Sequence, residues 1–135
     1  MGIGHDKLVR ELVMVQSSGH KHVGLMPDVY KVYVGLDKRW RSKLERHFRN
    51  FGIPGTTMPK EHFNSEGRHP TGGKQSKEVQ VCAFKAFQHR IYGVVVGIKN
   101  VETFVGLKIV EDKKRDRADQ ELLKRIAQNI GPYLD

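Results

Sequence analysis

The stretch from Val79 to Ile130 constrains the fold most strongly, because three apolar runs follow one another and end in an amphipathic helix. The runs predict strands near residues 78–86, 89–98 and 102–110. Turns are predicted at His89 and at Lys99-Asn100. The middle run is almost entirely apolar, which is typical of a central strand covered on both faces. In the last run, simple alternation would set Val105, Leu107 and Ile109 on one face and Phe104, Lys108 and Val110 on the other.

Two amphipathic helices are predicted to pack on this sheet. The first runs from about Lys38 to Phe51, where apolar residues recur at helical spacing. The second is expected over residues 118–130, after the charge cluster Glu111–Arg117. We expect Asp116 to begin this helix and Asp119 to lie in its first turn, near the positive end of the helix dipole.

The N-terminal half gives weaker patterns. Residues 1–27 are interpreted as an extension with one short helix, on the spacing of Leu8, Leu12 and Val15. Residues 28–135 are expected to form the main domain. Val29–Val34 predicts a strand, because β-branched and aromatic residues fill it. Residues 53–77 contain several Pro and Gly and predict a long loop, with a short helix near Lys60–Asn64.

Composition limits the classes of protein. A chain of 135 residues with 38% hydrophobic residues is expected to form one soluble domain. The net charge of +9 favours RNA, DNA or an acidic protein as partner. No apolar run approaches the roughly 18 residues that span a bilayer, and the N-terminus lacks the apolar centre of a secretory signal. We therefore expect a cytoplasmic protein that does not contact a membrane.

From Val29 to Ile130 the predicted order is strand, helix, long loop, three strands and helix, and it resembles the RelE/ParE toxin superfamily, particularly its HigB-like and phage-protein-like branches. Phe84–Tyr92 is similar to the family's strand pair, in which a basic, an apolar and an aromatic residue open the second strand. Phe104–Val110 resembles its last core strand, and Lys113–Leu123 resembles the lysine-rich segment before its terminal helix. The resemblance implies an α+β fold with a small mixed, mainly antiparallel sheet flanked by helices.

The resemblance also implies an activity. It implies a toxin that an antitoxin protein neutralises, acting as an endoribonuclease on messenger RNA, in particular on the ribosome, without a metal or other cofactor. In that chemistry the RNA 2′-hydroxyl attacks the adjacent phosphate and leaves a cyclic phosphate. It requires a base near the 2′-oxygen, an acid near the leaving 5′-oxygen and cations on the phosphate.

Residues suited to this chemistry lie on the predicted strands. Arg90 has a planar guanidinium that can bind two phosphate oxygens. His89 can transfer protons near neutral pH, and Tyr92 can stack on a base or bind phosphate. The predicted catalytic set is Arg90, His89, Tyr92 and Lys85. RNA contacts are predicted for Lys108, Lys113, Lys114, Arg115, Arg117, Arg68 and Lys74. On sequence alone each of these residues also fits an ordinary structural or solvated role.

Two other functions fit the same sequence, because a fold does not fix a function. ParE-like members imply a non-enzymatic toxin that inhibits DNA replication by binding gyrase or the sliding clamp. Gln80–Phe84 loosely resembles a clamp-binding peptide. The third alternative is a basic nucleic-acid-binding module without toxicity.

Several motifs are set aside. Gly67 and Lys74 miss the P-loop spacing by one residue, and Gln75 replaces its Ser or Thr, so an NTPase is rejected. Glu111 fits either a general base or a charge partner of neighbouring lysines. Cys82 lies in an apolar run and is expected to be a buried thiol. No metal site is predicted, and four histidines are interpreted as surface residues: His20, His22, His62 and His69.

Overall fold

The three apolar runs form part of a six-stranded sheet. The computed structural model describes residues 3–73, 77–111 and 119–134. Within these ranges the strands are β1 (Val13–Gln16), β2 (His22–Leu25), β3 (Phe63–Pro70), β4 (Glu78–Ala86), β5 (His89–Ile98) and β6 (Val101–Val110). Their order is β1-β2-β6-β5-β4-β3, and neighbours are antiparallel except β2 and β6, which are parallel. The predicted α+β class and mixed, mainly antiparallel sheet are confirmed.

Helices cover both faces of the sheet. They are α1 (Ile3–Glu11), α2 (Pro27–Val34), α3 (Lys38–Phe51) and α4 (Gln120–Ile130), followed by a short 3-10 helix, Gly131–Tyr133. Tyr92 and Ala83 belong to a core with α1 and α4, on what we call the α4 face. Phe84 and Ile91 belong to a core with α2 and α3, on the α3 face. Alternate residues of one strand therefore serve two separate cores.

The bounds of α3 and α4 follow from capping. Asp37 accepts a hydrogen bond from the Arg39 amide at 2.8 Å, and α3 ends before Gly52. Asp119 accepts one from the Glu121 amide at 2.9 Å and caps α4. The prediction over residues 38–51 is confirmed, and the last helix begins two residues later than predicted. Asp116, expected to begin it, lies outside the described residues.

The predicted strand over Val29–Val34 is wrong, because this segment is α2. Pro27 occupies the start of the helix, where its fixed φ and missing amide hydrogen are tolerated. Val29 and Tyr33, one helical turn apart, are the buried residues of α2. The strand-forming residue types of this segment thus pack as a helix stripe, since tertiary contacts override weak strand propensity.

The extension contains a short helix, α1, whose buried residue is Leu8. The helical face predicted over Leu8, Leu12 and Val15 is wrong beyond Leu8, because α1 ends at Glu11 and Val15 lies in β1. The extension also contains two strands that the sequence did not predict. Residues 13–16 pair with residues 22–25, and the latter run parallel to β6. Residues before 28 therefore complete one side of the same sheet.

The predicted loop over residues 53–77 is wrong for its middle part, because Phe63–Pro70 is β3. The strand lies at the edge of the sheet, against β4. The short helix predicted near Lys60–Asn64 is also wrong, since residues 60–62 form a turn and the strand begins at Phe63. An edge strand needs few apolar residues, and an irregularity between Ser65 and Arg68 accommodates Gly67 at a φ of +102°.

Candidate functional site

Four residues predicted from sequence lie on the α4 face, on adjacent strands. Lys85 of β4 is opposite Arg90 of β5, and Tyr92 of β5 is opposite Lys108 of β6. Arg90 and Tyr92 are two residues apart, so their side chains leave the strand on the same side. The structure therefore brings Lys85, Arg90, Tyr92 and Lys108 to one region of the sheet.

A β-bulge places Lys108 in this group. The register shifts where Tyr92 pairs with Lys108 and Gly93 pairs with Gly106, so Leu107 is an extra residue. Val105 and Leu107 belong to the α4-face core, whereas Ile109 packs on the α3-face core. The simple alternation predicted for this strand is therefore wrong beyond Leu107.

Lys108 is exposed and borders a cleft of about 280 Å³ between β6 and α4. The other residues that line the cleft are Leu122, Arg125, Ile126 and Asn129. Two cationic side chains, Lys108 and Arg125, thus border one open space. An anionic ligand placed there would lie within reach of both charges.

Lys85 forms an ion pair with Glu66, a residue that the sequence reasoning missed. Lys85 Nζ lies 3.4 Å from Glu66 Oε1, and each side chain is only 12% exposed. Partial burial strengthens the attraction between the two charges and removes much of their hydration. Glu66 was missed because it lies on β3, which was predicted as loop. Its position before Gly67, among polar residues, gives no strand signal.

Tyr92 lies beside this pair and is only 1% exposed. Burial raises the pKa of its phenol, the Glu66 carboxylate raises it further, and Arg90 partly opposes these effects. The phenol therefore stays protonated at neutral pH and can donate a hydrogen bond. A basic amine, a carboxylate and a phenol thus lie together on the α4 face.

Arg90 is buried, with 6% of its surface exposed. Its Nη1 donates hydrogen bonds to the backbone carbonyl oxygens of Phe87 and His89, the latter at 3.1 Å. These contacts fix the Phe87-Gln88 turn between β4 and β5. In this structure the guanidinium therefore positions the turn, and its predicted role as a phosphate clamp stays a prediction.

His89 points to the opposite side of the sheet from Lys85 and Tyr92. It is opposite Ala86, a residue of the α3-face core. Its Nδ1 lies 3.3 Å from the Ala86 carbonyl oxygen, and its ring centroid lies 5.5 Å from that of Trp40. The structure therefore does not bring His89 together with the other predicted catalytic residues.

The remaining predicted RNA contacts are separated. Arg68 is exposed on β3, where Nη2 donates to the Glu78 carbonyl oxygen at 3.3 Å and Nε lies 3.8 Å from Glu78 Oε1. Glu111 is exposed and lies immediately after β6. Five predicted residues lie outside the described ranges: Lys74, Lys113, Lys114, Arg115 and Arg117.

The buried thiol predicted for Cys82 is confirmed. Burial raises its pKa to about 11, with a smaller contribution from Glu66, so the thiol is protonated at neutral pH. His69 is also buried, which corrects its interpretation as a surface residue. Across the described ranges, no three His, Cys, Asp or Glu side chains are grouped to hold a metal ion.

Gln80–Phe84, which resembles a clamp-binding peptide, lies inside β4. Val81, Ala83 and Phe84 are fully buried there, and strands pair with β4 on both sides. A peptide in this position has no free backbone to offer a partner.

In the part of the chain that the structure describes, no helix has the length and apolar character needed to cross a membrane.

Comparisons with models of known protein families, with curated proteins and with solved structures gave no significant match to this chain.

Proposed function

We propose that this chain is a RelE/ParE-like toxin that cleaves messenger RNA without a metal ion, at a site on the α4 face. The observation that supports this most is the Lys85–Glu66 ion pair beside a protonated Tyr92. An acid and a base held 3.4 Å apart on rigid strands suit a reaction that removes one proton and returns another. Lys85, Arg90, Tyr92 and Lys108 are four of the residues predicted from sequence for this chemistry, whereas His89, also predicted, lies on the α3 face.

In the proposed reaction the Glu66 carboxylate accepts the proton of the RNA 2′-hydroxyl. The 2′-oxygen attacks the adjacent phosphorus, and the bond from phosphorus to the 5′-oxygen breaks. Lys85 donates a proton to that leaving oxygen, which gives a 2′,3′-cyclic phosphate and a 5′-hydroxyl. Glu66 then returns its proton to Lys85, with which it is paired, and this restores the carboxylate and the ammonium group. Tyr92 is buried beside this pair and interacts electrostatically with Glu66, and its predicted contact with RNA stays a prediction.

Cations around this site would hold the RNA backbone. Lys108 and Arg125 border the adjacent cleft, and the chain carries a net charge of +9. Contacts of this kind attract any RNA and weaken as salt increases. They supply affinity, whereas the Lys85–Glu66 pair supplies the chemistry.

The proposed substrate and partner set a cellular location. Translated messenger RNA on the ribosome is the proposed substrate, so the toxin acts in the cytoplasm. An antitoxin protein is the proposed partner. An acidic antitoxin segment would be attracted to the Lys108 region and would associate quickly. Coexpression with neighbouring genes should identify a product that restores growth.

The test is the chemistry of the cut. Purified protein is incubated with ribosome-bound and free messenger RNA in excess EDTA, and the cut ends are sequenced and analysed for cyclic phosphate. We expect cleavage in EDTA, and no cleavage where the ribose at the cut site is replaced by 2′-deoxyribose. Cleavage that persists at the 2′-deoxy position would refute attack by the 2′-hydroxyl. Absence of any cleavage, together with arrested DNA replication, would instead support the non-enzymatic toxin.

A further inference from the structure

An exposed aromatic stack lies at the turn between β4 and β5. Phe87 and Trp40 have ring centroids 5.3 Å apart and ring planes inclined by 13°, so the rings are stacked. Phe87 is 66% exposed, whereas Trp40, at the start of α3, is partly buried. Phe87 is therefore largely in contact with water although its ring stacks on Trp40, and exposed apolar surface of this kind is unfavourable.

The backbone of Phe87 is also strained. Its φ is +57°, in the left-handed region that costs an L-residue about 1–2 kcal/mol and that glycine usually occupies in such turns. The buried Arg90 holds this conformation through its hydrogen bond to the Phe87 carbonyl oxygen. A strained backbone maintained by a buried charged group is characteristic of functional positions.

Two cationic side chains lie over the Trp40 ring of the stack. The Arg39 guanidinium lies 4.2 Å from the centre of the Trp40 ring, and Lys43 Nζ lies 5.6 Å from it. The ring centroid of His89 lies 5.5 Å from that of Trp40. Both cations lie over the Trp40 ring, whereas Phe87 is largely exposed. An exposed ring next to cationic side chains provides the two contacts that single-stranded nucleic acids make: base stacking and phosphate binding.

We propose that Phe87 and Trp40 form a stacking platform for an unpaired base of single-stranded RNA, with Arg39 and Lys43 binding the adjoining phosphates. This inference rests on the proposed function, because the platform extends the RNA path around the turn that joins Lys85 to Arg90. An acidic peptide would satisfy the cations but would leave the exposed Phe87 ring without a flat partner. A base satisfies both.

The binding experiment uses a single-stranded RNA of about 12 nucleotides whose riboses are 2′-O-methylated, so that it cannot be cleaved by 2′-hydroxyl attack. Affinity is measured by fluorescence anisotropy at several salt concentrations. Trp40 is the only tryptophan of the chain, so its own emission reports contact with the platform. The variants are Phe87→Ala and Phe87→Leu, and the control is Ile53→Ala, which truncates another exposed apolar side chain.

Both Phe87 variants should bind this RNA roughly tenfold more weakly, with an unchanged dependence on salt. Arg39→Gln should weaken binding and also reduce the salt dependence, because it removes a charge that displaces counterions. Ile53→Ala should bind like the wild type. RNA binding should change the Trp40 emission in the wild type.

Wild-type affinity in Phe87→Leu would overturn the platform, because leucine keeps the apolar bulk and loses only the flat ring. Binding of a polyglutamate peptide that depends on Phe87, without binding of RNA, would also overturn it and would assign the stack to a protein partner. The two proposals fail separately. If the protein binds RNA through Phe87 but cuts no RNA, only the nuclease proposal is refuted. If the protein cuts RNA but the Phe87 variants bind RNA like the wild type, only the platform is refuted.

Discussion

The guanidinium of Arg90 donates a hydrogen bond to the backbone carbonyl oxygen of Phe87. Arg90 shares the α4 face with Lys85 and Tyr92, whereas the Phe87 ring stacks on Trp40 at the start of α3. One buried side chain thus connects the proposed catalytic face with the proposed RNA platform. Both surfaces depend on the conformation of the same two-residue turn.

Arg90→Ala should therefore lower the free energy of unfolding by about 2 kcal/mol or more, since charge-assisted hydrogen bonds to the turn carbonyls are lost. It should also shift the emission of Trp40, because Phe87 is no longer held against it. Urea denaturation followed by Trp40 fluorescence measures both effects. An Arg90→Ala protein with wild-type stability and unchanged emission would show that the turn does not depend on Arg90.

Phe87→Gly should be more stable than Phe87→Ala by about 1 kcal/mol, because both remove the ring and only glycine relieves the positive φ. The same pair of substitutions at Ile53, whose φ is not positive, should give the opposite order, since glycine there only adds freedom to the unfolded chain. Denaturant unfolding of the four variants tests the prediction. Equal stabilities at position 87 would mean that its backbone carries no strain.

His47 should make the fold sensitive to acid. The rings of His47 and His62 are stacked with centroids 4.0 Å apart. Burial lowers the pKa of His47 to about 4, with further lowering from His62, Arg46 and Lys43. The pKa of His47 is near 6.5 in the unfolded chain. Between this pH and about 4, the unfolded state therefore binds a proton at His47 that the folded state does not bind. Stability should thus fall as the pH decreases from about 6.5 to about 4, by between about 1 and 3 kcal/mol.

The measurement for His47 is the free energy of unfolding from about pH 7.5 to about pH 4.5, for the wild type and His47→Phe. Subtracting the two curves removes the titration of the carboxylates that they share. The difference should change across this range, with the wild type losing more stability in acid. Parallel curves would contradict the lowered pKa.

Cys82 should react with iodoacetamide at least about 100-fold more slowly in the folded protein than in urea at about pH 8, because the thiol is buried and its raised pKa leaves little thiolate. Mass spectrometry of timed samples measures the two rates. Similar rates would place the thiol at the surface and would contradict the burial of Cys82 in the α3-face core.

The elements with strong periodicity could be predicted from sequence, and those whose character depends on tertiary pairing could not. β4, β5, β6 and α3 have clear apolar repeats and were found nearly at their observed bounds. Val29–Val34 has the β-branched and aromatic residues of a strand, yet Val29 and Tyr33 enter the α3-face core because they lie one helical turn apart. Its start at Pro27 was the local signal for a helix.

The candidate site was only partly predictable for similar reasons. Alternation along β5 predicts that Arg90 and Tyr92 share a face and that His89 does not. Lys108 lies on the same face because of a bulge at Leu107, and the sequence of β6 does not indicate this bulge. Glu66 lies on an edge strand without apolar alternation, so its pairing with Lys85 follows only from the β3–β4 register.

The most direct test of the proposed chemistry is single-turnover cleavage of ribosome-bound messenger RNA at saturating protein by Glu66→Gln. The control is Glu121→Gln, because Glu121 pairs with Lys124 at 3.6 Å on the exposed side of α4. Thermal unfolding confirms that both variants are folded. We predict that Glu66→Gln slows cleavage by about 100-fold or more, as loss of a general base does, and that Glu121→Gln cleaves at the wild-type rate. Wild-type cleavage by a folded Glu66→Gln protein would contradict the assignment of catalysis to the Lys85–Glu66 pair.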